Sequence, residues 1–177
     1  MNVVMFSRKE QLVQKTGETG VGRYEFLKQL IKEFTTTKSY EARKQTLSNL
    51  ANFAYDPINY EHIKQLHIID LFLAQLSQDA EELIHFALAG LCNLSCDPES
   101  RDYITSLNGV SLVAQYLGNS NEEVALNALT TLFYLFDGSS TPVPEDLLPN
   151  IVHYKQHVDP RFRNLGTIFI ETYFPTN

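Results

Sequence analysis

Residues 47–57 read "LSNLANFAYDP", and residues 88–98 read "LAGLCNLSCDP". The two stretches lie 41 positions apart and share five of eleven residues: Leu47/Leu88, Leu50/Leu91, Asn52/Asn93, Asp56/Asp97 and Pro57/Pro98. Leucines three apart mark the buried stripe of a helix. Asp-Pro ends that helix, because the residue before a proline is driven out of helical backbone. It also opens the next one, with aspartate as N-cap and proline in the first turn. A third copy of the stripe follows at the same interval, with Leu129 and Leu132. The lattice therefore predicts a helical repeat protein.

Outward from these copies the periodicity stays helical. "YEFLKQLIKEF" puts Phe26, Leu27, Leu30, Ile31 and Phe34 on one stripe, and a second helix is expected over 40–55 with Leu47, Leu50 and Ala54 inward. "PINYEHIKQL" predicts a short helix and "IIDLFLAQLSQ" a medium one. A long helix opens at "DAEE", where Asp79 and Glu82 have the spacing of a capping box. The next unit repeats the order, and Ser120 and Glu123 offer a second box. After Phe136 the register fades. "DGSSTPVPEDLLPN" reads as a loop with a short helix, and Asp159-Pro160 starts a closing helix with Phe162, Leu165, Ile168, Phe169 and Tyr173 on its stripe.

The 177 residues carry a net charge of −7, with 44% hydrophobic and 20% charged residues, an ordinary balance for a folded chain. The charge is unevenly spread. Residues 1–44 balance at +4, residues 45–154 at −12 and residues 155–177 at +1. An acidic middle repels phosphate backbones and favours a basic protein surface as partner. No apolar run reaches the length of a membrane span. The start "MNVVMFSRKE" lacks the order of a signal peptide, so a cytosolic or nuclear protein is expected.

The repeat resembles the armadillo family over residues 24–173, with "NLANFAYDP" and "LCNLSCDP" closing the third helix of successive units. The resemblance implies an all-α fold: a short right-handed armadillo-type α-solenoid, a superhelix of three-helix repeats with terminal caps. The expected layout is a tail over 1–22, a repeat domain of about three repeats over 23–174 and a short end over 175–177.

In this family the third helices line a groove where asparagines bond the backbone of an extended partner. By resemblance Asn52 and Asn93 occupy that ladder, and Tyr134 breaks it in the third unit. One turn earlier, where peptide-binding relatives often carry tryptophan, this chain has Ser48, Ala89 and Thr130. The groove is therefore expected to be shallow. Lys44 and His85 are placed along the same face. The alternative for both asparagines is structural, bonding carbonyls of their own or an adjacent unit. Tyr55, Tyr60, Phe72, Tyr103, Tyr116 and Tyr134 are candidate hot spots, several of which must be core.

Nothing in the residues points to catalysis, a cofactor, a metal or a small-molecule substrate. His153 and His157 have ligand spacing but no HExxH glutamate. Cys92 and Cys96 read as small helix residues. "GETGVG" (17–22) lacks the Lys-Ser/Thr of a phosphate loop. The order "LANFAYDP…NYE", "FALAGLCNLS" and "NEEVALNALTTL" resembles a branch of the family associated with RNA-binding motif protein 48 and the minor spliceosome. That resemblance implies a non-catalytic, nuclear protein-binding scaffold that meets small nuclear RNA only through its partner. Two alternatives stay open: direct RNA contact through Arg23, Lys28, Lys32 and Arg43, and a cytoplasmic armadillo adaptor.

Overall fold

The computed structural model describes residues 22–139 and 142–175. The expected tail, Gly22 apart, lies outside them, as does nearly all of "GETGVG". Every regular element among the described residues is helical, and the helices divide into two compact units, the first ending at Leu94 and the second beginning at Ser95.

The N-terminal unit holds α1 (Arg23–Thr36), α2 (Tyr40–Phe53), a 3₁₀ turn (Pro57–Asn59) running into α3 (Tyr60–Gln65), α4 (Ile68–Gln75) and α5 (Glu81–Leu94). Ser39 caps α2 by accepting from the Ala42 N–H at 3.2 Å. Asp56 performs both tasks expected of it: α2 has ended, and its carboxylate accepts from the Ile58 N–H at 3.3 Å with Pro57 in the first turn. Leu47 and Leu50 on α2 and Ala54 just past its end are fully buried, as are Leu88 and Leu91 on α5, and these two long helices pack side by side. Gly90 permits a close approach: a Cβ there would stand 2.5 Å from the buried ring of Phe72 on α4.

The C-terminal unit holds α6 (Pro98–Ser106), α7 (Gly109–Ala114), α8 (Glu122–Phe136), a 3₁₀ turn (Glu145–Leu147) leading into α9 (Leu148–Tyr154), and α10 (Pro160–Tyr173). Asp97 caps α6, accepting from the Ser100 N–H at 3.0 Å and its hydroxyl at 2.7 Å. Asp159 caps α10 through the Arg161 N–H at 2.7 Å. Leu129 and Leu132 are fully buried.

The 41-residue lattice governs backbone as well as side chains. Helices α2, α5 and α8 begin at Tyr40, Glu81 and Glu122, each 41 after the last. His67 and Asn108, also 41 apart, both turn left-handed (φ 54° and 60°) at the corner between a short helix and the next. Left-handed backbone is uncommon outside glycine, with asparagine and histidine among the better tolerated residues.

Four local expectations need correction. Both capping boxes are out of register by one residue: α5 starts at Glu81 with Ala80 supplying the first acceptor carbonyl, and Asn121, not Ser120, caps α8 by accepting from the Glu123 N–H. Phe26 and Ile168 do not join their stripes inward. Both are exposed, Phe26 with its ring edge against Phe53. His153 and His157 do not share a helix, because α9 stops at Tyr154 and their ring centroids stand 6.5 Å apart. Cys96 lies in the turn after α5 rather than on a helix.

Candidate functional site

Because α2 and α5 start one period apart, residues on their outward faces fall in matched pairs. Lys44, Ser48 and Asn52 follow one another at four-residue steps on α2, and His85, Ala89 and Asn93 do so on α5, so each trio lies along one helical stripe. The N-terminal unit thus brings six of the expected groove residues onto two adjacent helices.

The pairs are not equivalent. Asn93, half-buried, donates from Nδ2 to the Ala51 carbonyl oxygen on α2 at 3.1 Å. It ties the two helices together, which is the structural alternative. Asn52 is exposed, and its side chain makes no hydrogen bond among the described residues. Its amide therefore presents both a donor and an acceptor outward, matching the two groups of a peptide backbone. Lys44 is already engaged: Nζ reaches Glu41 at 2.9 Å and Glu82 on α5 at 3.1 Å. The Tyr40 hydroxyl donates to the same Glu82 at 3.1 Å. Hydrogen bonds from Lys44, then from Tyr40, hold the Glu82 carboxyl below its ordinary value, while bonding to Glu41 and Glu82 raises Lys44. Ser48, Ala89 and His85 are half-buried, the His85 ring tilted edge-on to Phe86.

In the C-terminal unit the expected positions turn inward on their own unit. The Thr130 hydroxyl donates back to the Leu126 carbonyl at 2.7 Å. Tyr134 is half-buried, its ring edge-on to that of Phe133 with centroids 5.9 Å apart. Neither offers the free amide that Asn52 does.

Each unit also contains a tie that the sequence reading missed. The Tyr60 hydroxyl donates to the Asn93 carbonyl at 3.3 Å, and 41 residues on, Arg101 Nη1 donates to the Tyr134 carbonyl at 3.3 Å. The first supplies a side-chain donor to a last-turn carbonyl of α5, and the second adds to the bond that the Tyr134 carbonyl accepts from the Asp137 N–H at 3.2 Å. The matched spacing was the available signal, hidden because tyrosine and arginine look unrelated until both are seen as long-reaching donors.

The residues expected to meet RNA directly are partly occupied. The Arg23 guanidinium lies 4.7 Å from the centre of the Phe53 ring, and that of Arg43 lies 5.1 Å from the Phe34 ring. Lys28 and Lys32 are exposed four apart on α1. Of the candidate hot spots, Phe72 is core, Tyr55 and Tyr103 are exposed, and Tyr60, Tyr116 and Tyr134 are half-buried. Among the described residues no three His, Cys, Asp or Glu side chains gather as metal ligands, and no helix is long and apolar enough to cross a membrane.

Mouse armadillo repeat-containing protein 7 is 52% identical to this chain over 157 residues, covering 86% of it and 79% of the mouse protein. The chain belongs to the armadillo repeat-containing protein 7 family. As a member of that family, it has the all-α armadillo solenoid fold, and solved structures agree. A designed armadillo repeat protein, YIII(Dq)4CqI, matches with a TM-score of 0.68 at 20% identity, covering 82% of this chain and 63% of that one. A second designed armadillo repeat protein, in complex with the peptide (KR)4, matches with a TM-score of 0.66 at 15% identity, covering 86% and 70%. An engineered protein with a TM-score of 0.70 is longer still, and this chain spans 36% of it. No protein-family model matches the chain.

Proposed function

We propose that this armadillo repeat-containing protein 7 family member is a non-catalytic protein-binding scaffold. In this reading it partners RNA-binding motif protein 48 in minor-spliceosome pre-mRNA splicing in the nucleus. The observation that carries the binding role is the unengaged Asn52 amide on a face built from two register-matched long helices. An extended segment of the partner docks there, and its RNA-recognition fold makes the contacts to small nuclear RNA. The −12 balance of residues 45–154 supports this division, because so acidic a stretch is a poor phosphate binder and a good match for a basic protein surface.

The test is co-purification of the full chain with RNA-binding motif protein 48, followed by titration of short RNA at two salt concentrations with and without that partner. A stable complex is expected, with RNA affinity only when the partner is present. Tight, steeply salt-dependent RNA binding by the isolated chain would instead favour direct contact through Lys28 and Lys32. Recovery of adhesion or trafficking proteins without splicing factors would favour a cytoplasmic adaptor.

A further inference from the structure

The C-terminal unit encloses a cleft of about 230 Å³ at the N-terminal end of α8. Its floor is apolar. Leu117, Ala125, Tyr154 and Phe162 are buried there, the last two rings stacked with centroids 4.8 Å apart. Its rim is polar, with Glu122, Asn150 and His153 exposed.

The neighbouring acids Glu122 and Glu123 have different company. Glu123 takes Arg161 at 2.8 Å, and the same guanidinium is held by Asp159 at 2.8 Å. Glu122 has no arginine or lysine among the described residues. Its ion-pair neighbour there is His157, whose Nε2 lies 4.0 Å away and counters the charge only when protonated. Sitting in the first turn of α8, Glu122 is favoured as an anion by the helix's positive end. The cleft therefore combines an apolar floor with one carboxylate that lacks a permanent counter-charge.

One chemistry satisfies both features: a long side chain with an aliphatic stem and a cationic head. Arginine fits better than lysine, because its guanidinium is weakly hydrated, lies flat on aromatic rings and forks onto a carboxylate. The volume points the same way, since pockets for free small molecules typically run from about 300 to 1,000 Å³.

We propose that this cleft receives an arginine side chain from a partner protein. The cleft shares no residue with the asparagine face, and the proposal does not depend on that face. Within α8 alone, Glu122 lies twelve residues from Tyr134, roughly 18 Å along the axis at about 1.5 Å per residue.

The experiment is an NMR titration of the full chain with three blocked tripeptides, acetyl-Gly-X-Gly-amide, where X is arginine, citrulline or norleucine. The arginine peptide should give saturable shifts at Glu122, Asn150 and His153 and bind roughly five-fold more tightly than the citrulline isostere. Glu122→Gln should abolish that preference. Gly118 lies on the cleft wall with open space where a Cβ would go. Gly118→Met should therefore block binding while leaving the carboxylate and the fold intact. Absence of saturable shifts would overturn the proposal. So would equal or tighter binding of the norleucine peptide, or an arginine preference that survives Glu122→Gln.

Discussion

The long helices α2 and α5 of the N-terminal unit and α8 of the C-terminal unit start on one 41-residue lattice and bury the same leucine stripe, yet their outward faces differ. On α2 and α5 the lattice positions carry amides, one locked to a neighbouring helix and one left open. On α8 the matching position carries Tyr134, and the threonine one turn earlier, matched to Ser48 and Ala89, bonds back to its own helix. The inward face is dictated by packing and repeats faithfully. The outward face is under no such demand, so the repeat period alone does not make a residue part of a binding surface.

The comparison breaks first at its shared element. Leu88→Ala and Leu129→Ala each empty a fully buried site and should each lose about 2–5 kcal/mol in urea unfolding. A loss in one unit much smaller than in the other would mean that the leucine stripe does not hold the two equally.

The asparagines sharpen the contrast. Asn93→Ala removes the donor to the Ala51 carbonyl and should lower stability by about 1–2 kcal/mol. Asn52→Ala should leave stability within about 0.5 kcal/mol, because its exposed side chain holds nothing in its own unit. Its effect should appear in partner affinity, as a loss of about 1–3 kcal/mol. Unchanged affinity would remove Asn52 from the binding surface. Helix caps come next: Asp97→Ala and Asp56→Ala should each cost about 1 kcal/mol of thermal stability, with Asp97 the larger because it accepts two bonds.

The smallest expected effect is electrostatic. The Glu82 carboxyl is depressed by Lys44 and Tyr40, so its contribution is fully present above the ordinary value of 4.5 and is lost as the pH falls through the lowered folded value. Glu82→Gln should therefore be slightly destabilising at neutral pH and indistinguishable from the parent in strong acid. A difference that persists in acid would assign Glu82 a role other than its charge.

Much of this architecture was legible in the chain. The leucine lattice and the Asp-Pro steps name their own physics, since burial repeats with the helix period and proline leaves few backbone choices. Two capping boxes were misplaced by one residue because Asp79/Ala80 and Ser120/Asn121 each offer two adjacent starts, and the lattice selects the second of each pair. Phe26 and Ile168 fit their stripes by spacing, but each sits at the stripe's edge, where a helix of 3.6 residues per turn rotates it outward. The division between Asn52 and Asn93 was beyond one-dimensional reading. Identical residues at identical positions differ only in whether a neighbouring carbonyl is within reach, and that depends on which helix lies alongside.

The matched left-handed corners at His67 and Asn108, with an aspartate and a proline opening each short helix, bear on how such a chain can change length. A segment cut after Asp56 and after Asp97 begins with proline and ends with aspartate, so a duplicate of residues 57–97 inserted at either cut would restore the same junction chemistry on both sides. Growth or loss by whole 41-residue cassettes requires no new linker, whereas an insertion of another size inside a long helix shifts the leucine register.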